Sequence, residues 1–266
     1  MANLLRNKVI LVTGSSSGIG RAIAAQCAQQ GAAVVLHHRG DSHSRHDAET
    51  LRDELTQTGP VMLNDQKASH LVVGADLTTE GASSSVVSQT VSAFGRIDGL
   101  VNNAGICQFA PASSVTKPLL INHMNVNFMA AYLLTQAATQ QMIRQGHGGS
   151  IVSISSITAK LGSSNLTHYA PTKAALLAMS ASFAVEFGKH NIRYNCILPG
   201  TIQTAMNKKD LANNGKGEWM AGRVPLKRLG CPDDIARSVL FFASDLSAYV
   251  TGQQMIVDGG ASINYQ

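Results

Sequence analysis

Val9-Ile-Leu-Val-Thr-Gly-Ser-Ser-Ser-Gly-Ile-Gly20 is the stretch that decides the fold. Val9–Val12 is a continuous apolar run, as a strand buried on both faces requires. A turn with glycines at 14, 18 and 20 follows, and Arg21-Ala-Ile-Ala then starts helical spacing. A strand whose Gly-rich turn opens a helix is an anion site: backbone N–H groups and the positive end of the helix dipole converge on one spot. Gly14 permits the tight turn, Gly18 lets the backbone approach a pyrophosphate, and Gly20 lets helix pack on strand.

Outward from that turn the pattern repeats. Val34–Leu36, Leu71–Val73, Leu100–Val101, Ile151–Ile154, Ile192–Leu198 and Met255–Val257 are further short Val/Ile-rich runs. Between them, helical spacing covers about 19–30, 47–57, 80–94, 119–144, 169–189 and 233–243. Strand-helix alternation predicts a doubly wound, seven-stranded parallel sheet with right-handed crossovers and helices on both faces, a single α/β domain over 1–266. Residues 59–70 are polar and without period, and predict a loop. Residues 201–224, rich in Asn, Lys and Gly, follow a strand directly and predict a lid at the sheet's ligand edge.

Composition sets the outer limits. Of 266 residues, 44% are hydrophobic and only 14% charged, which excludes a disordered chain and suggests surface covered in a homo-oligomer, a dimer or tetramer. The net charge of +5 is scattered, its tightest basic pair being Lys208–Lys209, so nucleic acid is not the expected partner. Cys27, Cys107, Cys196 and Cys231 are widely spaced, as free thiols in a reducing compartment would be. No apolar stretch approaches a membrane span or a signal-peptide core, and a cytoplasmic small-molecule protein is the expectation.

The second strand ends in Leu36-His37-His38-Arg39-Gly40. A dinucleotide site selective for NAD carries an acid near this point for the ribose 2′-hydroxyl. Here the first acid is Asp41, while Arg39 suits a 2′-phosphate, so NADP is the favoured cofactor and NAD a second possibility. The run from His37 to His46 contains four histidines, but two arginines interrupt it, and no metal site is expected.

Tyr169-Ala-Pro-Thr-Lys173 places a phenol and an ammonium one helical turn apart, with Pro171 tolerated in the first turn. A free phenol titrates near 10. A cation ~4 Å away is worth ~4 kcal/mol at an effective dielectric of ~20, enough to lower that value by up to ~3 units. Ser155-Ser156 and Asn102-Asn103-Ala104-Gly105 follow strands and so lie at the same sheet edge. Asn127 sits inside a long helical segment, where a polar task such as holding water is expected.

Together these strings resemble the short-chain dehydrogenase/reductase family, from Thr13-Gly14 to Asp258-Gly259-Gly260. Ser156 stands 13 residues before Tyr169, and Lys173 four after it. The resemblance implies a Rossmann-like fold and a catalytic set of Asn127, Ser156, Tyr169 and Lys173. Tyr169 would be the acid–base group and Ser156 would hold the substrate oxygen. Lys173 would lower the Tyr169 pKa and bind the nicotinamide ribose, and Asn127 would place a water. It implies a cofactor site of Gly14, Ser16, Ser17, Gly18, Ile19, Gly20, His38, Arg39, Asp76, Leu77, Asn103, Ala104, Gly105, Tyr169, Lys173, Pro199, Gly200, Ile202 and Thr204. Asp76 would contact adenine, Thr204 the carboxamide, and Asn102 would steady the central sheet.

The substrate wall is expected from Ser156, Thr158, His168, Tyr169 and Thr201, with Ile106, Cys107, Lys160, Met206 and the rest of 205–220 nearby. Much of that set can hydrogen-bond, which suits a polyhydroxy ligand. Asn-Asn-Ala-Gly-Ile-Cys, Thr167-His168-Tyr169, Leu198-Pro-Gly-Thr-Ile, Arg223-Val-Pro-Leu and Tyr249-Val-Thr-Gly resemble the sugar 1-dehydrogenase branch of the family, the L-rhamnose branch above all. The implied reaction is oxidation of an aldose at C1 to the lactone. The alternatives are a carbonyl reductase similar to 3-oxoacyl-carrier-protein reductase and a catalytically inactive NADP-sensing regulator. The presence of both Tyr169 and Lys173 speaks against the regulator.

Overall fold

In the computed structural model, which describes residues 3–57, 59 and 61–264, strands and helices alternate along the chain. The strands are β1 (Val9–Val12), β2 (Ala33–His38), β3 (Val61–Leu63), β4 (Gln66–Ala68), β5 (Leu71–Gly74), β6 (Gly99–Asn102), β7 (Gly149–Ile154), β8 (Ile192–Pro199) and β9 (Gln254–Val257). The helices are α1 (Gly18–Gln29), α2 (Ser42–Gln57), α3 (Ala82–Phe94), α4 (Lys117–Met124), α5 (Ala130–Gln145), α6 (Ala170–Phe187), α7 (Lys208–Leu211), α8 (Lys216–Arg223) and α9 (Pro232–Ala243).

Seven strands form one parallel sheet in the order β5-β2-β1-β6-β7-β8-β9. The order reverses between β1 and β6, so a crevice opens there at the carboxyl ends of the strands, where ligands of such sheets sit. The unbroken apolar strands follow from burial on both faces. Val9 and Leu11 of β1 join the core under α3, α5 and α6. Ile10 and Val12 point the other way, into the core under α1 and α9.

Four boundaries differ from the sequence reading. Residues 61–68, expected as loop, form the antiparallel hairpin β3–β4, turned by Asn64 and Asp65 at positive φ. Helix α2 begins at Ser42 because Asp41 caps it, its Oδ1 accepting from the Ser44 N–H at 3.0 Å. His43 and His46 therefore lie on a helix, while His37 and His38 are buried in β2, so the histidine run is split rather than gathered in one loop. The segment expected as one helix over 119–144 is α4 and α5 joined by a π turn, Asn125–Met129. The segment 201–224 carries α7 and α8 instead of open loop.

Candidate active site

The turn after β1 has the geometry its sequence asks for. Gly14 and Gly18 adopt φ of +63° and +56°, which side chains rarely tolerate. Ser17 caps α1 with extended backbone and no side-chain cap bond, so the helix's first N–H groups face the crevice without a side-chain acceptor. Ser16, Ile19 and Gly20 complete this rim. The cradle fits the pyrophosphate of a dinucleotide.

Neighbouring strands hold the turn. Thr13 Oγ1 accepts from the N–H groups of Asn103 and Ala104 at 2.9 and 3.0 Å. Asn103 Nδ2 returns bonds to the Thr13 and Gly14 carbonyls at 2.9 and 3.2 Å. Asn102 donates to Thr135 on α5 at 2.8 Å, and so ties sheet to helix. His37 does work that sequence reasoning missed. Its Nδ1 accepts from the Gly14 N–H at 3.3 Å and its Nε2 donates to the Ala75 carbonyl at 3.0 Å. Only a neutral imidazole does both.

Burial lowers the His37 pKa to about 4, with the adjacent His38 adding to the effect and Ala75 and Asp76 opposing it. The unfolded chain thus binds a proton near the ordinary ~6.5 while the folded chain does not. Stability is therefore lost as pH falls from about 6.5 toward about 4, by up to about 3 kcal/mol. Acid titration of the unfolding free energy is expected to show this slope in the wild type and a shallower one in His37→Gln. Equal slopes would assign the acid sensitivity elsewhere.

After β5, Asp76 is committed to Thr78, accepting from its N–H at 2.9 Å and its hydroxyl at 2.7 Å, which lowers its pKa. Leu77 beside it is buried. Arg39 is largely exposed and pairs with Asp41 at 3.1 Å, so the nearest acid engages the arginine itself. The His38 ring is buried, and its Nδ1 accepts from the Gly40 N–H at 3.1 Å.

The structure brings Ser156, Tyr169 and Lys173 together at the crevice. Tyr169 stands at the head of α6, and the Lys173 ammonium lies 5.6 Å from its ring centroid. Lys173 Nζ donates to the Ile154 carbonyl at 3.0 Å, and Ser155 donates to the Lys173 carbonyl at 2.8 Å, so the end of β7 holds the lysine at both of its ends. Ser156 Oγ accepts from the Thr158 N–H at 3.2 Å and its hydroxyl at 2.9 Å, which leaves its own proton to donate toward the Tyr169 oxygen. Thr158, expected on the substrate, thus orients Ser156.

The electrostatics depart from the expectation. Burial holds the Tyr169 pKa well above the ordinary phenol value, and only the Ser156 bond works in the other direction. Burial also lowers Lys173 to about 8. Desolvation dominates both groups, and the Lys173 ammonium lies over the Tyr169 ring.

Asn127 projects from the π turn. Its Oδ1 accepts from the Ile106 N–H at 2.7 Å, and its Nδ2 donates to the Ile106 carbonyl at 2.9 Å and to Thr172 at 3.1 Å. Both amide donors are thus committed to protein. A Cβ on Gly105 would lie 3.2 Å from Asn127 Oδ1 and 3.5 Å from Lys173 Nζ, which places that backbone beside both side chains.

His168, expected as a substrate contact, is turned inward. It is buried, its Nε2 bonds the Gln108 carbonyl at 2.8 Å, and its ring meets His123 edge-on at 4.5 Å. His123 in turn accepts from the Gln108 N–H at 3.3 Å. The two rings thus hold both the N–H and the carbonyl of Gln108, between Cys107 and Phe109. Lys160 is exposed beyond it.

Across the crevice, Pro199 and Gly200 end β8 and lead into Thr201, Ile202 and Thr204. A Cβ on Gly200 would lie 2.6 Å from that of Asp258, so the chain passes close to the loop after β9. One on Gly18 would touch the Thr204 methyl at 3.5 Å, so this segment overhangs the phosphate turn. Met206 is exposed on it. Lys216 pairs with Asp210 at 2.8 Å and lies 5.4 Å from the Phe109 ring centroid, which ties α7 to α8 and α8 to Phe109.

A nucleotide cradle and a Tyr-Lys-Ser group meeting at one sheet edge define an oxidoreductase of the dinucleotide-binding kind. A family model described as enoyl-(acyl carrier protein) reductase matches residues 14–262, and the chain belongs to the short-chain dehydrogenase/reductase family. It is 44% identical to an L-rhamnose 1-dehydrogenase (NAD(P)(+)) of Azotobacter vinelandii, over 99% of this chain and 100% of that protein. It is 42% identical, over the full length of both, to an L-rhamnose-1-dehydrogenase of Scheffersomyces stipitis. A 3-oxoacyl-[acyl-carrier-protein] reductase of Chlamydia trachomatis is 39% identical over 98% of this chain and 99% of its own. Among solved structures, a putative short-chain alcohol dehydrogenase from Sinorhizobium meliloti 1021 superposes with a TM-score of 0.90 at 30% identity, covering 99% of this chain and 100% of that one.

Proposed function

We propose that this enzyme oxidises an aldose, L-rhamnose first among them, at C1 to the lactone, with NADP+ or NAD+. The full-length likeness to L-rhamnose 1-dehydrogenases carries the reading, because it exceeds the likeness to the carrier-protein reductase over the same length. The nicotinamide cofactor, when bound, accepts the hydride from C1. The turn of Gly14 and Ser16–Gly20 would hold its phosphates, and Asn103–Gly105, Pro199–Gly200, Ile202 and Thr204 would contribute to the rest of its site.

The chain's own groups handle the proton. Ser156, fixed by Thr158, donates to the C1 oxygen and holds it near Tyr169. As the phenolate, the Tyr169 oxygen removes the hydroxyl proton, and the Lys173 ammonium over its ring supplies positive charge. Asn127 keeps Ile106 and the Gly105 backbone close to Lys173. The 201–224 segment acts as the lid that excludes water. The four free thiols support a cytoplasmic location. Exposed Leu120, Ile121, Met129, Tyr132, Leu133 and Val185 support a homo-oligomer. No helix among the described residues is long and apolar enough to cross a membrane.

Two measurements test this. NAD(P)H formation is expected with L-rhamnose and weaker formation with L-lyxose, L-mannose or D-glucose. No reaction with any of them, beside brisk reduction of a 3-oxoacyl thioester, favours the reductase. Arg39→Ala is expected to weaken NADP+ about 3- to 30-fold while leaving NAD+ nearly unchanged, since Arg39 is exposed and exchanges Asp41 for the doubly charged phosphate. Equal losses for both would move 2′-phosphate recognition to other groups.

A further inference from the structure

A cleft of about 140 Å³ runs beneath α8. Its walls include Ile157, the residue after Ser156, Thr201 at the end of the β8 segment, and Trp219, Met220 and Arg223 from the helix above. Lys216, Trp219, Met220 and Arg223 recur at the i, i+3, i+4, i+7 spacing of one helical face. That face runs from Lys216, over the Phe109 ring, to Arg223 on the cleft wall.

The polar groups around the cleft divide into two sets. Arg228 is committed to Asp234, with contacts of 2.6 and 2.9 Å. Asp258 accepts from the N–H groups of Gly260 and Ser262 at 2.8 and 2.7 Å. Arg223, by contrast, forms no ion pair among the described residues. Its guanidinium lies 5.2 Å from the Trp219 ring centroid. Trp219 is the chain's sole tryptophan and is 63% exposed. An indole open to water on a cleft wall, with a guanidinium without a carboxylate over one of its faces and the rest of the ring exposed, is surface shaped for a ligand.

The chemistry of the pair selects a class. An indole face packs well against the C–H face of a saturated ring. A guanidinium presents five donors in a planar fork and finds acceptors in ring hydroxyls. A long acyl chain would cover Trp219 but offer no acceptor to the Arg223 donors, which a hydroxylated ring does. We propose that Trp219 and Arg223 form the recognition pair for a polyhydroxylated sugar ring. The ring stacks on Trp219, and Arg223 and Thr201 bond its hydroxyls at positions away from C1. This rests on the aldose reading above, and makes the lid helix the part of the enzyme that sorts sugars.

A single tryptophan makes the test site-specific. In Tyr169→Phe carrying NADP+, where turnover is blocked, L-rhamnose is expected to change Trp219 emission saturably. In the otherwise wild-type enzyme, Trp219→Ala is expected to raise KM for L-rhamnose about tenfold, with kcat within about threefold and KM for NADP+ unchanged. Trp219→Phe restores most of the loss, and Arg223→Met raises KM alone. If the wild type oxidises L-rhamnose and Trp219→Ala keeps its KM, the recognition pair is wrong and the activity stands. If the wild type oxidises no aldose, the activity reading falls, and the emission titration judges the cleft alone: a saturable change with an aldose upholds it and a flat one overturns it.

Discussion

Tyr169→Phe is expected to bind NADP+ as the wild type does and to turn over at least about a hundredfold more slowly, in line with the ~10²–10⁴-fold that positioned proton transfer contributes. The substitution removes one oxygen from a ring that stays packed at the head of α6, while the phosphate turn lies on another strand-helix junction. Cofactor fluorescence and steady-state rates separate the two effects. Turnover above about a hundredth of wild type would show that another group moves the proton. Because burial holds the phenol pKa high, the oxidation rate of the wild type is also expected to rise with pH as the phenolate becomes populated.

Gly20→Ala is expected to abolish useful cofactor binding, with at least about a hundredfold loss in NADP+ affinity. Backbone strain is not the reason, since Gly20 is not among the positive-φ positions. A Cβ there would stand 2.2 Å from the Gly14 carbonyl oxygen and 2.5 Å from Asn103 Nδ2. Neither neighbour can yield, for Asn103 is bonded to Thr13 and Gly14 and the turn is tied to His37. The clash is expected to cost about 1–3 kcal/mol of stability as well, in the range of other overpacked sites. Titration of NADP+ fluorescence quenching and thermal unfolding check both parts. A variant that binds NADP+ within threefold of wild type would show that the turn has slack the structure does not reveal.

Most of the architecture was legible because it rests on burial. A strand covered on both faces must be largely apolar, so the central strands announce themselves as Val/Ile/Leu runs, and the half-covered edge strands β5 and β9 keep shorter ones. The hairpin of β3 and β4 escaped because it lies outside the sheet. Gln66 and Lys67 face water, which erases the apolar run. The early start of α2 depended on one Asp41 cap amid histidines and serines, a signal easily read as turn. In the site, the Ser156–Tyr169–Lys173 spacing was visible because it is set by local chain geometry. The roles of His37, His168 and Thr158 were not, because each depends on which neighbour a side chain meets after folding. His168 sits one residue from Tyr169, yet adjacent positions at a helix entrance point different ways, and this one turns inward to Gln108. Likewise, one turn of separation along α6 did not reveal that the Lys173 ammonium would settle over the Tyr169 ring.

The π turn at Asn125–Met129 amounts to one surplus residue in an otherwise regular helical rod. Excising a single residue there would let α4 and α5 fuse into an unbroken α-helix with better backbone bonding. The same excision would rotate everything on one side of it by about 100° against the other. Asn127 could then no longer grip both the N–H and the carbonyl of Ile106, and the loop that closes against Lys173 would lose its anchor. Directed evolution for heat resistance alone would thus have a one-codon deletion within reach, and selection for turnover in the same library should keep it out.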